Sequence, residues 1–164
     1  MFFSVTLDDE RSHKYIRQSN REMDSNLGNL AGIKILVVDD DLDSRDFICF
    51  VLEAEGAEVI SVSSAMEALK TLPESQVDVL LSDIGMPKMD GYMLMREVRS
   101  WTPEQGGNTP AIALTAYAGE CNQEQALSAG FQMHVTKPAE PTELVLAVAR
   151  LAGKTVNSGV GSGE

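Results

Sequence analysis

The chain of 164 residues has only two cysteines, Cys49 and Cys121, and no C-x-x-C spacing. That argues against a disulfide framework and fits two reduced thiols of a cytosolic protein. No apolar run approaches the roughly 18 residues that a membrane-spanning helix needs. The Met1-Phe2-Phe3 start lacks a basic stretch and a long apolar core, so no secretory signal is expected. Positive charge is scarce: 13 Lys and Arg stand against 25 Asp and Glu, for a net charge of −12. Such a chain repels nucleic acid and anionic membrane surfaces, which excludes direct DNA binding as its expected role, and it favours Mg2+ and basic partner surfaces. Internal repeats and coiled-coil heptads are absent as well.

What is present is ordinary for a soluble globular protein, with 43% apolar and 23% charged residues. The length suits one domain with a modest core. Residues 1–31 stand apart. Leu7 to Met23 is mostly charged and polar, with too few apolar residues for a core of its own, and reads as a linker or as one arm of a helical contact. Ser25 to Gly32 is small and polar and marks the boundary.

Regular alternation follows. Ile33 to Val38 predicts a first strand, closed by Asp39-Asp40-Asp41. Ser44 to Glu55 predicts an amphipathic helix with Phe47, Ile48, Val51 and Leu52 inward, ended by Gly56. Ala57 to Ser61 predicts the second strand. Ser63 or Ser64 caps a second helix that Pro73 should stop near Leu72. Val77 to Asp83 predicts the third strand. Asp90-Gly91 opens a third helix over Tyr92 to Arg99. After a Pro/Gly-rich loop, Ala111 to Thr115 predicts the fourth strand and Gly119 to Ala129 the fourth helix. Phe131 to Thr136 predicts the fifth strand. Pro141 starts a fifth helix to about Leu151. Residues 153–164 are Gly/Ser-rich and without periodicity, which predicts a disordered tail, and no second folded domain is expected after Leu151. Five strands alternating with five helices predict an α/β fold, a parallel sheet covered on both faces.

The chemistry gathers at strand ends. The first strand ends in Asp39 and Asp40, the third in Asp83, the fourth in Thr115, and the fifth in Lys137-Pro138. In a doubly wound sheet the carboxyl ends converge on one edge. Each residue taken alone has a plainer reading: acids before a helix, a turn aspartate, a strand threonine, a solvated lysine. Taken together they form a set. Three crowded carboxylates repel unless a cation sits among them, and oxygen-only ligands suit Mg2+. Asp83 then reads as a nucleophile for a phosphoryl group, with Lys137 and the Thr115 hydroxyl directed at phosphoryl oxygens.

Residues 32–152 resemble the receiver domain of bacterial response regulators, the phosphoacceptor half of two-component signalling. The resemblance rests on Ile35-Leu36-Val37-Val38-Asp39-Asp40, on Asp83 through Gly91 (DIGMPKMDG), on Ala113-Leu114-Thr115-Ala116 and on Lys137-Pro138. It implies a five-stranded flavodoxin-like sheet of order 2-1-3-4-5. It implies phosphorylation of Asp83 by a histidine kinase or histidine phosphotransfer protein. Asp40 would bind Mg2+ directly, Asp39 through water, and the Gly85 carbonyl would complete the protein ligands. Thr115 would be the switch hydroxyl and His134 the switch ring, although His134 also reads as a half-buried strand histidine. The Lys137-Pro138 bond is expected to be cis. Helix four, strand five and helix five would form the output face. Gly85 and Tyr117 occupy positions where polar side chains speed dephosphorylation in fast members of the family, so slow self-dephosphorylation is expected.

The resemblance fits a stand-alone receiver or the receiver of a hybrid histidine kinase. Two other functions remain open. One is a constitutive interaction module that leaves its phosphorylation site unused. The other is a haloacid-dehalogenase-type phosphatase using Asp39-Asp40-Asp41, in which Asp83 would have no role. Leu146 and Ala147, off the core face of the fifth helix, suit a partner or homodimer contact. Met89, Met93 and Met95 read as packing residues.

Overall fold

The computed structural model describes residues 29–116 and 120–153, with the side chains of residues 120–122 outside the description. The strands are β1 (Lys34–Val38), β2 (Glu58–Val62), β3 (Val79–Asp83), β4 (Ala111–Thr115) and β5 (Met133–Thr136). The helices are α1 (Leu42–Ala54), α2 (Ala65–Ser75), α3 (Gly91–Arg99), α4 (Glu120–Ala129) and α5 (Pro141–Leu151). A 3-10 turn, Pro103–Gln105, precedes β4. All strand pairs are parallel, and the sheet order is β2-β1-β3-β4-β5. This is the flavodoxin-like arrangement that the sequence resemblance implies.

The central strands are nearly continuous apolar runs, with polar residues only at their ends, because both faces of the sheet are covered. Along β1 the side chains alternate between two cores. Ile35 and Val37 pack with Ile48, Leu52, Leu81, Leu144 and Val148 beneath α1 and α5. Leu36 and Val38 pack with Leu72, Leu80, Leu94, Met95 and Phe131 on the opposite face. The first core also includes Leu30, which is fully buried, so packing begins ahead of Gly32. The Leu30 amide donates to Glu55 O at 2.9 Å, fastening the chain to the end of α1.

Four expectations are corrected. Pro73 lies inside α2 instead of ending it, and the helix closes at Gln76 in the left-handed region. Pro73 cannot donate to Leu69 O, and the helix nevertheless runs two residues past it, with the Ser75 hydroxyl donating to Thr71 O. Phe47 is 44% exposed. At 100° per residue it stands at the margin of the arc centred on Ile48, Val51 and Leu52. Ala147 is buried against α1 and the sheet, and Leu146 is only half exposed, so α5 presents little free apolar surface. Of the three methionines, Met95 is buried and Met89 partly buried, but Met93 is exposed.

Candidate functional site

The carboxyl ends of β1, β3 and β5 bring one set of charges together. Asp39 follows β1 and is completely buried. Its Oδ1 accepts from the Asp41 amide at 2.9 Å, and its Oδ2 accepts from the Ser44 hydroxyl at 2.7 Å. Lys137 Nζ lies 3.2 Å from the same Oδ2. The Arg45 guanidinium donates to the Asp39 carbonyl at 2.8 Å. Asp41 takes the cap of α1, its Oδ2 accepting from the Ser44 amide at 2.9 Å. Asp40 is exposed at the mouth of the pocket.

Asp83, the last residue of β3, is buried, and its Oδ1 is 3.5 Å from Lys137 Nζ. Burial pushes its carboxyl above the ordinary aspartate value, Asp39 and Asp40 push the same way, and Lys137 opposes them. Burial pulls the Lys137 ammonium down, but Asp39 and Asp83 outweigh it and hold the group above its usual value. Carboxylate oxygens of Asp39, Asp40 and Asp83 all lie within 4.8 Å of one another.

The loop after Asp83 is tightly folded. The Ile84 amide donates to Leu114 O at 3.1 Å, and the Gly91 amide returns to Ile84 O at 2.8 Å. Asp90 caps α3 through the Met93 amide at 2.9 Å. Gly91 permits this fold, because a Cβ there would meet Asp83 O at 2.5 Å. Lys88 adopts φ +70°, a left-handed conformation unusual for a non-glycine residue. Gly85 is exposed, with open space where a Cβ would stand.

Thr115 ends β4, is buried, and sits in register with Thr136. Its carbonyl accepts from the Lys137 amide at 2.7 Å. His134 is half-buried on β5, opposite Ala113. The Lys137-Pro138 peptide is cis. Tyr117 lies outside the described residues. Ser44 and Arg45 also belong to the site, beyond the residues expected from the strand ends. The available signal was the Asp41-x-x-Ser44 spacing of an N-cap and its third helical residue, which places Ser44 in the first turn of α1.

Oxygen-only donors, one of them facing solvent, fit a hard divalent cation such as Mg2+. Asp40 and Asp83 have ligand oxygens for it. Asp39, already engaged by three donors, suits a role through water.

A doubly wound parallel sheet with an acidic, lysine-bridged pocket at its carboxyl edge defines a CheY-like α/β protein. The chain belongs to the response regulator receiver domain family of two-component signalling, whose model matches residues 35–149. It is 48% identical over 119 residues to an uncharacterized 14.6 kDa protein of Leptolyngbya boryana, covering 73% of this chain and 89% of that one. It is 36% identical over 142 residues to hybrid signal transduction histidine kinase D of Dictyostelium discoideum, covering 81% of this chain but 9% of that protein. Among solved structures it resembles the receiver domain of sensor histidine kinase PA1611 from Pseudomonas aeruginosa. That likeness has a TM-score of 0.69 and 33% identity, covers 76% of this chain and 100% of that one, and the structure has a magnesium ion coordinated in the active site cleft.

Proposed function

We propose that the chain takes a phosphoryl group from a phosphohistidine donor, a histidine kinase or histidine phosphotransfer protein, onto Asp83. The observation that carries this reading is the gathering of Asp39, Asp40 and Asp83 within 4.8 Å, with Lys137 between two of them. An Asp83 carboxylate oxygen forms the new bond to phosphorus, the phosphorus–nitrogen bond of the donor's protonated ring breaks, and the imidazole leaves neutral, keeping the proton on its other nitrogen. Lys137 Nζ, already 3.5 Å from Asp83 Oδ1, is placed to move onto a phosphoryl oxygen. Thr115 donates its hydroxyl to another. Asp40, Asp83 and the Gly85 carbonyl would hold Mg2+, with Asp39 acting through water. When bound, the ion neutralises the charge of the incoming phosphoryl group.

Phosphorylation adds about 1.5 to 2 negative charges. Thr115 and His134 couple that change to the face formed by α4, β5 and α5, where a downstream partner or a second copy binds. The chain catalyses its own phosphorylation and slow self-dephosphorylation, turns over no external substrate, and works in the cytoplasm without contacting nucleic acid or membrane.

The test is mass spectrometry of the chain after treatment with acetyl phosphate, with and without Mg2+. The expected result is one modification, on Asp83, that depends on Mg2+. Modification of Asp39 or Asp40 favours the phosphatase reading, and an unmodified chain favours a constitutive interaction module.

A further inference from the structure

The exposed side of α1 is the most apolar surface among the described helices. Phe50 is 71% exposed, Leu42 57% and Phe47 44%. At 100° per residue these three share one continuous arc with Asp43, Asp46 and Glu53, which are also exposed. Among the described residues no base pairs with those acids. The helix's one basic residue, Arg45, turns its guanidinium toward the Asp39 carbonyl. The face therefore asks for an occupant that is both basic and apolar.

The chain contains one. Residues 11–21 (RSHKYIRQSNR) carry Arg11, Lys14, Arg17 and Arg21, with Tyr15 and Ile16 between them and no acid, in a protein of net charge −12. The stretch is tethered within reach. The Leu30 amide is bonded to Glu55 O at 2.9 Å, so the chain enters the domain beside the carboxyl end of α1. Eight residue steps separate Arg21 from Asn29, a reach of about 26 Å, and a 13-residue helix such as α1 is about 20 Å long. We propose that residues 11–21 dock along this face of α1, pairing Arg11, Lys14, Arg17 and Arg21 with Asp43, Asp46 and Glu53 and covering Phe50. The docking itself does not depend on the function proposed for Asp83.

The experiment compares the full chain with two full-chain variants, R11E/K14E/R17E/R21E and Phe50→Ser. Phe50 lies outside the core, so its replacement leaves the fold intact. Backbone amide shifts of α1 are recorded by NMR, and a carbodiimide zero-length cross-link is mapped by mass spectrometry. The expected cross-link joins Lys14 to Asp43, Asp46 or Glu53 within one molecule and is lost in Phe50→Ser. Charge reversal should shift the α1 amides, and raising NaCl from 0.05 to about 0.5 M should move the unmodified chain toward the reversed variant. Four outcomes overturn the proposal. They are α1 amides that ignore the reversal, cross-links from Lys14 to acids outside α1, perturbations that scale with protein concentration and so report a second copy, and a basic segment engaged by phosphatidylserine vesicles but not by α1.

Discussion

Lys137 Nζ lies nearer to Asp39 Oδ2, at 3.2 Å, than to Asp83 Oδ1, at 3.5 Å. The lysine is thus held chiefly by the fully buried aspartate while still touching the proposed phosphoacceptor. Lys137→Gln should leave the Asp39 charge short of its cation. The expected loss is about 1–3 kcal/mol in chelator, read by urea denaturation, with part of it recovered in Mg2+. The rate of Asp83 modification by acetyl phosphate should fall roughly 10- to 100-fold. An unchanged rate would remove Lys137 from the chemistry.

Asp83 has a definite pH signature without metal. Its folded-state pKa is raised, by burial first and then by Asp39 and Asp40, against Lys137. The folded protein therefore binds that proton more tightly than the unfolded chain does. The resulting stabilisation is complete below the unfolded value of about 3.9 and is lost as pH rises through the folded value. At pH 7 the ionised group is a burden, so Asp83→Asn should raise the melting temperature by a few degrees in chelator. Lys137 keeps its partner Asp39 in that variant. Mg2+ should raise the melting temperature of the unmodified chain by mass action and that of Asp83→Asn much less. Equal Mg2+ responses would separate the metal from Asp83.

Gly85 offers a clean test of phosphoryl lifetime. A Cβ there meets nothing within 4 Å, so a side chain fits without rearrangement. Gly85→Asn supplies a polar group near the expected path of attacking water. Decay of the labelled phosphoprotein should accelerate, while stability changes by less than about 0.5 kcal/mol. Unchanged or slower decay would dissociate this position from slow dephosphorylation.

Gly91, in the same loop, should behave in the opposite way. Its added Cβ would stand 2.5 Å from Asp83 O and 2.9 Å from Ile84 Cα, both backbone atoms that cannot step aside. Gly91→Ala should cost about 2 kcal/mol in urea denaturation and slow Asp83 modification, because relief of the clash must move Asp83 itself. Gly85→Ala is the control, with little change in either.

The alternation of apolar runs with helical patterns, the punctuation by Gly56, Asp90 and Pro141, and the residues at each strand end were legible in the sequence. Each is a local property: a period, a cap, a proline at a first turn. What the chain's order could not convey was which arc of a helix faces inward. Phe47 is exposed because it stands at the margin of the buried arc of α1, and Ala147 is buried because α5 packs into the first core on more than one side. Pro73 sits inside α2, two residues before its end, and the helix closes only at Gln76 in the left-handed region, a boundary that the proline alone does not set. The hydrogen bond from the Ser44 hydroxyl to Asp39 and the closer pairing of Lys137 with Asp39 than with Asp83 are tertiary facts. They depend on distances between β1, α1 and the end of β5. Those distances are set by packing across the whole sheet, and no local pattern encodes them.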